Sequence, residues 1–432
     1  MIKIEKIKSR EILDSRGNPT VETEAMLSTG EVLRAAVPSG ASTGTYEAVE
    51  LRDGDKARYG GKGVKKACAN ITDKLVPAIK NMDPVDLRKI DQKILEIDAT
   101  KNKSAMGANA TLGVSLLMAK CGAFAQKKPL YEHLAQVFGC SKDFQIPTAL
   151  MNFINGGKHA NNGLAIQEFM VVPENTASFA EALRMGSEIF MALKKALAEK
   201  GENSAVGDEG GFAPAYIKNP QEALQILLDA ISKAKHNNKV RISLDLAANE
   251  FLAGKDYELF KGEKAITPGA LIKHLKDWTK AYPIASYEDP LSEDDWASWK
   301  DMTKELSGTG ALLIGDDLFV TNPERFGRGI KEGIATAILI KPNQIGTLSE
   351  TADVVQMAQK NGYATVVSHR SGETEDAALA HIAVGLGADG IKTGSVSRSE
   401  RLAKYNELLR IEEKLGGNKY KGALKAKTAV KA

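Results

Sequence analysis

Apolar and polar positions along the chain follow two rhythms, and the change falls near residue 140. Before it, residues 2–12, 20–27 and 31–37 read as short strands separated by SRGNP and STG turn signals. An antiparallel meander is the economical arrangement of three such strands. Apolar residues at helical spacing follow over 64–80, 84–97 and 105–126, so residues 1–140 read as an α+β domain. From residue 146 short apolar runs alternate with helical stretches. The runs are LMNFI (150–154), EFMVV (168–172), RISLDL (241–246), PIASYED (283–289), ALLIGDD (311–317), TAILIKP (336–342), YATVVSH (363–369) and DGIKTG (389–394). Helical periodicity fills 178–199, 268–282, 348–359 and 376–386. This alternation predicts a closed TIM-like β/α barrel over 141–417. Its start is irregular, because no helix separates the first two strands.

Composition narrows the class. A chain of 432 residues is too long for one ordinary core, in keeping with two domains. Hydrophobic (43%) and charged (26%) shares are those of a soluble globular protein, and a net charge of +3 gives no nucleic-acid field. Residues 418–432 hold five lysines and no acid, and read as a solvated, disordered basic tail. Cys68, Cys121 and Cys140 show neither zinc spacing nor an even disulfide set. Reduced thiols and a cytoplasmic location are expected. The N-terminus lacks the apolar core of a secretory leader, and no run approaches the ~18 apolar residues of a membrane span.

The polar residues carry the chemistry. A parallel barrel strand, covered outside and filled inside, should be apolar through its middle. Each run obeys this and then ends on polar groups: Asp245, Glu288, Asp316 with Asp317, Lys341, His369 with Arg370, and Lys392. Such endings converge on one mouth, the face where barrel enzymes work. Three carboxylates, Asp245, Glu288 and Asp316, suit a hard cation such as Mg²⁺ or Mn²⁺. The alternative is a metal-free ion-pair cluster in which Lys341 and Lys392 balance the acids. Beside a cation and another ammonium, either lysine could act as a base. SHRSGE (368–373) combines an imidazole, a guanidinium and a hydroxyl into an anion clamp. PSGASTG (38–44), NGGKHANNG (155–163, with His159, leading to Glu168) and GDEGGFAP (207–214, with Glu209) suit glycine-hinged lids. No dinucleotide fingerprint is present. His133, His236, His274 and His381 fall in helical patterns and read as surface or packing residues.

SGASTG, NGGKHANN with QEFM, GDEGGFAP, SLDLAANEF, YEDPLSEDDW, GDDLFVTNP, KPNQIGTLSE, SHRSGETED, and IKTG with RSERLAKYNELLR together resemble the enolase family. The resemblance runs in order from DSRGNPTVE near the N-terminus to residue 416. It implies dehydration of 2-phosphoglycerate to phosphoenolpyruvate with two Mg²⁺ ions. Asp245, Glu288 and Asp316 would hold the first ion, which binds the substrate carboxylate. Ser42 would bind the second as its loop closes. Lys341 would take the C2 proton, and Lys392 would stabilise the carboxylate. Glu209, supported by Glu168, would protonate the departing C3 hydroxyl. His159, Arg370 and Ser371 would contact substrate, the latter two at its phosphate, with His369 near the acid side. The resemblance further implies a homodimer, octameric in some bacteria. Two alternatives differ in kind. A related barrel enzyme acting on an unphosphorylated carboxylate would have no use for HRS at 369–371. A binding protein would use the basic tail on nucleic acid or a host surface protein, and an intact site argues against it.

Overall fold

The computed structural model describes residues 3–425 apart from 41–43, 216, 218 and 261. β1 (Ile4–Leu13), β2 (Pro19–Leu27) and β3 (Val32–Ala36) form the expected antiparallel meander in that order. Between β1 and β2 the Asp14 carboxylate accepts from the backbone of Arg16 (2.8 Å) and Asn18 (2.9 Å), while Gly17 takes φ +74°. That is the left-handed geometry a tight turn asks of glycine. The 64–80 helix appears with a π turn at Ile71–Leu75. Pro77, which has no N–H to donate to the preceding turn, lies just beyond it. The Ala108–Ala125 helix packs against β2 and β3 and is buried on nearly every face. Contrary to the expectation from the sequence, it is long and apolar enough to cross a membrane, but 83% of it is buried inside the molecule. A helix apolar all round is also what a core position selects.

The second half closes into a barrel. Its strands are β4 (Thr148–Asn155), β5 (Glu168–Pro173), β6 (Val240–Asp245), β9 (Ile284–Glu288), β10 (Leu312–Gly315), β11 (Ala337–Ile340), β12 (Ala364–Ser368) and β13 (Gly390–Lys392). A small hairpin, β7 (Leu252–Ala253) and β8 (Asp256–Tyr257), lies outside the ring. In the order just given each barrel strand pairs with the next, and β13 closes onto β4. The irregular start has a definite form: β5 runs antiparallel to both β4 and β6, while every other pair is parallel. The first residue of β5, Glu168, therefore pairs with the last of β6, Asp245. The chain returns to β6 through two packed helices, Phe179–Glu199 and Pro220–Lys233.

Inward-facing side chains, among them Leu150, Met170, Val172, Leu312, Ile314, Leu339 and Val366, fill the barrel. Leu424 belongs to the same cluster and is fully buried. This corrects the expectation of a solvated tail for residues 418–425. Ile146 exchanges backbone hydrogen bonds with Lys419 (2.8 Å) and Lys421 (2.9 Å). The Tyr420 hydroxyl donates to the Pro173 carbonyl at 2.9 Å and accepts from Ala149 N at 3.1 Å. Lysine-rich composition hid an apolar pair, Tyr420 and Leu424, that corks the barrel end away from the mouth. Leu424→Ala is expected to cost about 2–5 kcal/mol, the range for a buried leucine. Chemical denaturation measures it, and a loss below about 0.5 kcal/mol, the scale of surface changes, would mean the segment is not part of the fold.

Candidate active site

Round the mouth, β6, β9 and β10 are neighbours and carry Asp245 and Glu288 as last residues and Asp316 just beyond the third. Lys341 follows β11, His369–Ser371 follow β12, and Lys392 ends β13. They surround about 310 Å³ of space that is lined by every expected residue except Glu288 and Ser42. Glu288 is fully buried and paired with Lys392 at 2.8 Å. Ser42 falls outside the described residues. Gln167 and Ser368 also line the space, and the sequence reading had not singled them out.

Lys392 is the hub of the acidic wall. Its ammonium lies 2.9 Å from Asp245 Oδ2, 2.8 Å from Glu288 Oε1 and 3.1 Å from Glu168 Oε1. Burial alone would lower its pKa, but these three carboxylates outweigh that and raise it well above the usual lysine value. Lys341 donates to Asp316 Oδ2, and Gln344 Nε2 donates to the other oxygen at 3.0 Å. Burial works against the Lys341 charge too, yet Asp316 keeps its pKa raised. Glu288 is pushed well above the carboxylate range by burial and then by Asp245. Asp289 is an unforeseen support. Its carboxylate accepts from the backbone of Asp316 (2.9 Å) and Asp317 (2.7 Å), and its own φ of +38° is a strained value for a non-glycine residue.

The far side of the space is built by β5 and two loops. Oxygens of Glu168 and Glu209 and a ring nitrogen of His159 lie within 4.8 Å of one another. His159 Nδ1 is 3.4 Å from Glu209 Oε2, His369 Nε2 is 3.5 Å from Glu209 Oε1, and Asn152 Nδ2 donates to Glu209 Oε2 at 3.1 Å. Burial and the facing charge of Glu209 push the Glu168 carboxyl well up. Burial also holds both imidazoles below their ordinary pKa. Against its own burial, Glu209 is drawn well below the carboxylate range by the facing His159 and His369 and then by Arg401 and Lys392. Glu168 and Glu209 thus act as one coupled pair in which the proton favours Glu168.

The clamp after β12 is held from the N-terminal half. The Arg370 guanidinium meets Glu47 at 2.9 Å and 3.2 Å, and Glu47 also accepts from Gly44 N at 3.0 Å. A Cβ on Gly40 would stand 1.9 Å from Arg370 Nη2, so only glycine allows that approach. Ser39 and Gly372 exchange backbone hydrogen bonds (2.7 and 2.9 Å), fastening the base of the 38–44 loop to the clamp. The sequence reading missed Glu47, which lies 323 residues from its partner.

Asp245 and Glu288 are paired with Lys392 and Asp316 with Lys341, the ion-pair arrangement, yet as donors these acids suit a hard divalent cation. The donor set is all oxygen, and buried Gln167 Oε1 and Glu168 Oε2 at the same mouth find no hydrogen-bond partner among the described residues. A second acidic group of Asp289, Asp316 and Asp317 adjoins it. Its Asp317 carboxyl is pushed up to about 8 by burial and by Asp316, as expected where negative charge exceeds positive. Residues 4–134 match the family model described as "Enolase, N-terminal domain", and residues 143–429 match "Enolase, C-terminal TIM barrel domain". With nearly the whole chain matched and the acidic mouth inside the second match, the chain belongs to the enolase family of metal-dependent lyases.

Proposed function

We propose that the protein interconverts 2-phospho-D-glycerate and phosphoenolpyruvate in glycolysis and gluconeogenesis, with two Mg²⁺ ions for which Mn²⁺ can substitute. The observation that carries this reading is the opposition of two proton-handling groups across one cavity. Lys341 follows β11, and β11 stands diametrically opposite β5, whose Glu168 is coupled to Glu209. An elimination of water needs a base at one carbon and an acid at the next, and this arrangement provides both. Arg370 and Ser371 bind the phosphate through charge-assisted hydrogen bonds. Lys392 binds the substrate carboxylate and stabilises the additional negative charge that forms on it once the C2 proton has left. Lys341 removes that proton. Glu209, reloaded with the proton that the coupled pair holds on Glu168, then transfers it to the C3 hydroxyl, the C–O bond breaks, and water departs. Asp245, Glu288 and Asp316 would hold one divalent ion and Ser42 a second; bound there, the ions supply positive charge against the developing enolate. His159, Glu168 and His369 line the acid side, where they orient the hydroxyl and exclude bulk water. A cytoplasmic homodimer is part of the same reading.

The test is direct. Adding 2-phosphoglycerate with Mg²⁺ should produce enolpyruvate absorbance, EDTA should stop it, and excess Mg²⁺ should restore it. Absence of a signal, or one indifferent to chelation, rules the reading out.

A further inference from the structure

The RSERLAKYNELLR segment becomes the Ser399–Lys414 helix, and the reaction outlined above assigns it no part. Its first turns carry two fully buried charges on one face, Arg401 and Lys404. Burying a guanidinium completely is expensive unless its donors are used. Those of Arg401 reach both loops that bear site residues. Nη2 donates to the carbonyls of Ser371 (2.6 Å) and Asp208 (3.0 Å) and to Ser15 Oγ (3.3 Å). Nη1 donates to the Arg370 carbonyl (2.6 Å) and lies 2.6 Å from His369 Nδ1. Gly394 makes the room, since a Cβ there would stand 2.7 Å from Arg401 Cδ. Lys404 adds a contact to Glu373 at 2.7 Å, at the end of the same clamp loop.

The contact with His369 has a chemical consequence. A guanidinium donates and has no lone pair to accept with. The nitrogen facing it must therefore be the bare, accepting one. The single ring proton of a neutral His369 then sits on Nε2, the atom 3.5 Å from Glu209 Oε1. We propose that Arg401 is a positioning residue that locks His369 as the Nε2–H tautomer, so that this ring offers Glu209 a donor and never an acceptor. The inference rests on the reading of Glu209 as the acid. Once Glu209 has passed the pair's proton to the leaving hydroxyl it is a carboxylate again, and the ring N–H 3.5 Å away, which has no other hydrogen-bond partner among the described residues, stabilises that charge. The opposite tautomer would face it with a lone pair and resist the transfer. The same residue holds the backbone of Asp208 and of Ser371, so acid and clamp are set by one rigid group.

The test reads the tautomer, which needs no turnover. With ¹⁵N-histidine in the Mg²⁺-loaded protein, the His369 ring among six histidines is identified by the signal lost in His369→Asn. The expected spectrum has an unprotonated Nδ1 and a protonated Nε2. A proton on Nδ1, or on both nitrogens, overturns the proposal even if the enzyme is fully active. Failure of the dehydration assay with the expected tautomer would instead count against the proposed reaction alone. Arg401→Met should lose the single-tautomer signature and about 10–100-fold in kcat, the usual cost of removing an orienting partner. Arg401→Lys, which keeps a donor and the charge, should restore the signature. An unchanged signature in Arg401→Met also overturns the proposal, and if that variant does not fold, the wild-type spectrum and Arg401→Lys decide.

Discussion

Lys341→Ala is expected to lower kcat by about 10⁴-fold, the upper end for a positioned acid–base group, and to abolish exchange of the C2 proton with solvent. The expectation follows from position. Lys341 follows β11, its backbone N–H is held by Thr321 Oγ1 at 2.9 Å, and its ammonium touches no carboxylate but Asp316 among the described residues. Lys392, the other lysine of the mouth, is held by three carboxylates and has no freedom to give up its charge. Against burial, both lysines are raised by their carboxylates, but Lys341 has one to part from and Lys392 three, so Lys341 is the easier to discharge. Deuterium uptake from heavy water, followed by NMR of recovered substrate, separates proton removal from the later steps. Near-normal exchange in Lys341→Ala would move the base elsewhere. A matching melting temperature is needed as a control, because Asp316 loses a partner in this variant.

Glu209→Gln should give a different pattern. Elimination should fall by about 10³-fold, within the range for loss of a proton donor, while C2 exchange continues at a measurable rate. Proton removal then runs forward and back, and the hydroxyl cannot leave. The amide keeps the size of the side chain and an oxygen for Asn152 Nδ2, so packing changes little. Equal loss of exchange and elimination would contradict the assignment of Glu209 to the leaving-group side. The pair of variants thus divides the cavity into a base half and an acid half by kinetics alone.

Much of this was readable before any coordinates. Asp245, Glu288, Asp316, Lys341, His369, Arg370 and Lys392 announce themselves because each interrupts an apolar run that a covered strand requires, and seven such interruptions meet at one mouth. Glu168 gave no such signal, since it opens its strand, and the direction of β5 is not encoded in apolar content. Glu47, Asp289 and Arg401 were hidden for another reason. Their partners are brought to them only by the closed ring and by the docking of the N-terminal half, so no local pattern marks them. The tail misled in the opposite sense. Counting lysines overlooked Tyr420 and Leu424, whose burial decides where that segment goes.

The reversed strand also explains why the acid half exists as a piece of chain. Because β5 points away from the mouth, the 156–167 connection before it stays wholly at the catalytic end. One helix must then climb back and a second descend before β6 can start. The hinge between those helices arrives at the mouth with Glu209, beside His159 and Glu168. His159, Glu168 and Glu209 consequently lie within a single stretch of 51 positions, from 159 to 209, whereas Asp245, Glu288, Asp316 and both lysines are spread over 148 positions, from 245 to 392. These three side chains form a cassette between two strands, open to exchange as a unit, while the acids and lysines are woven through the ring and can change only one strand end at a time.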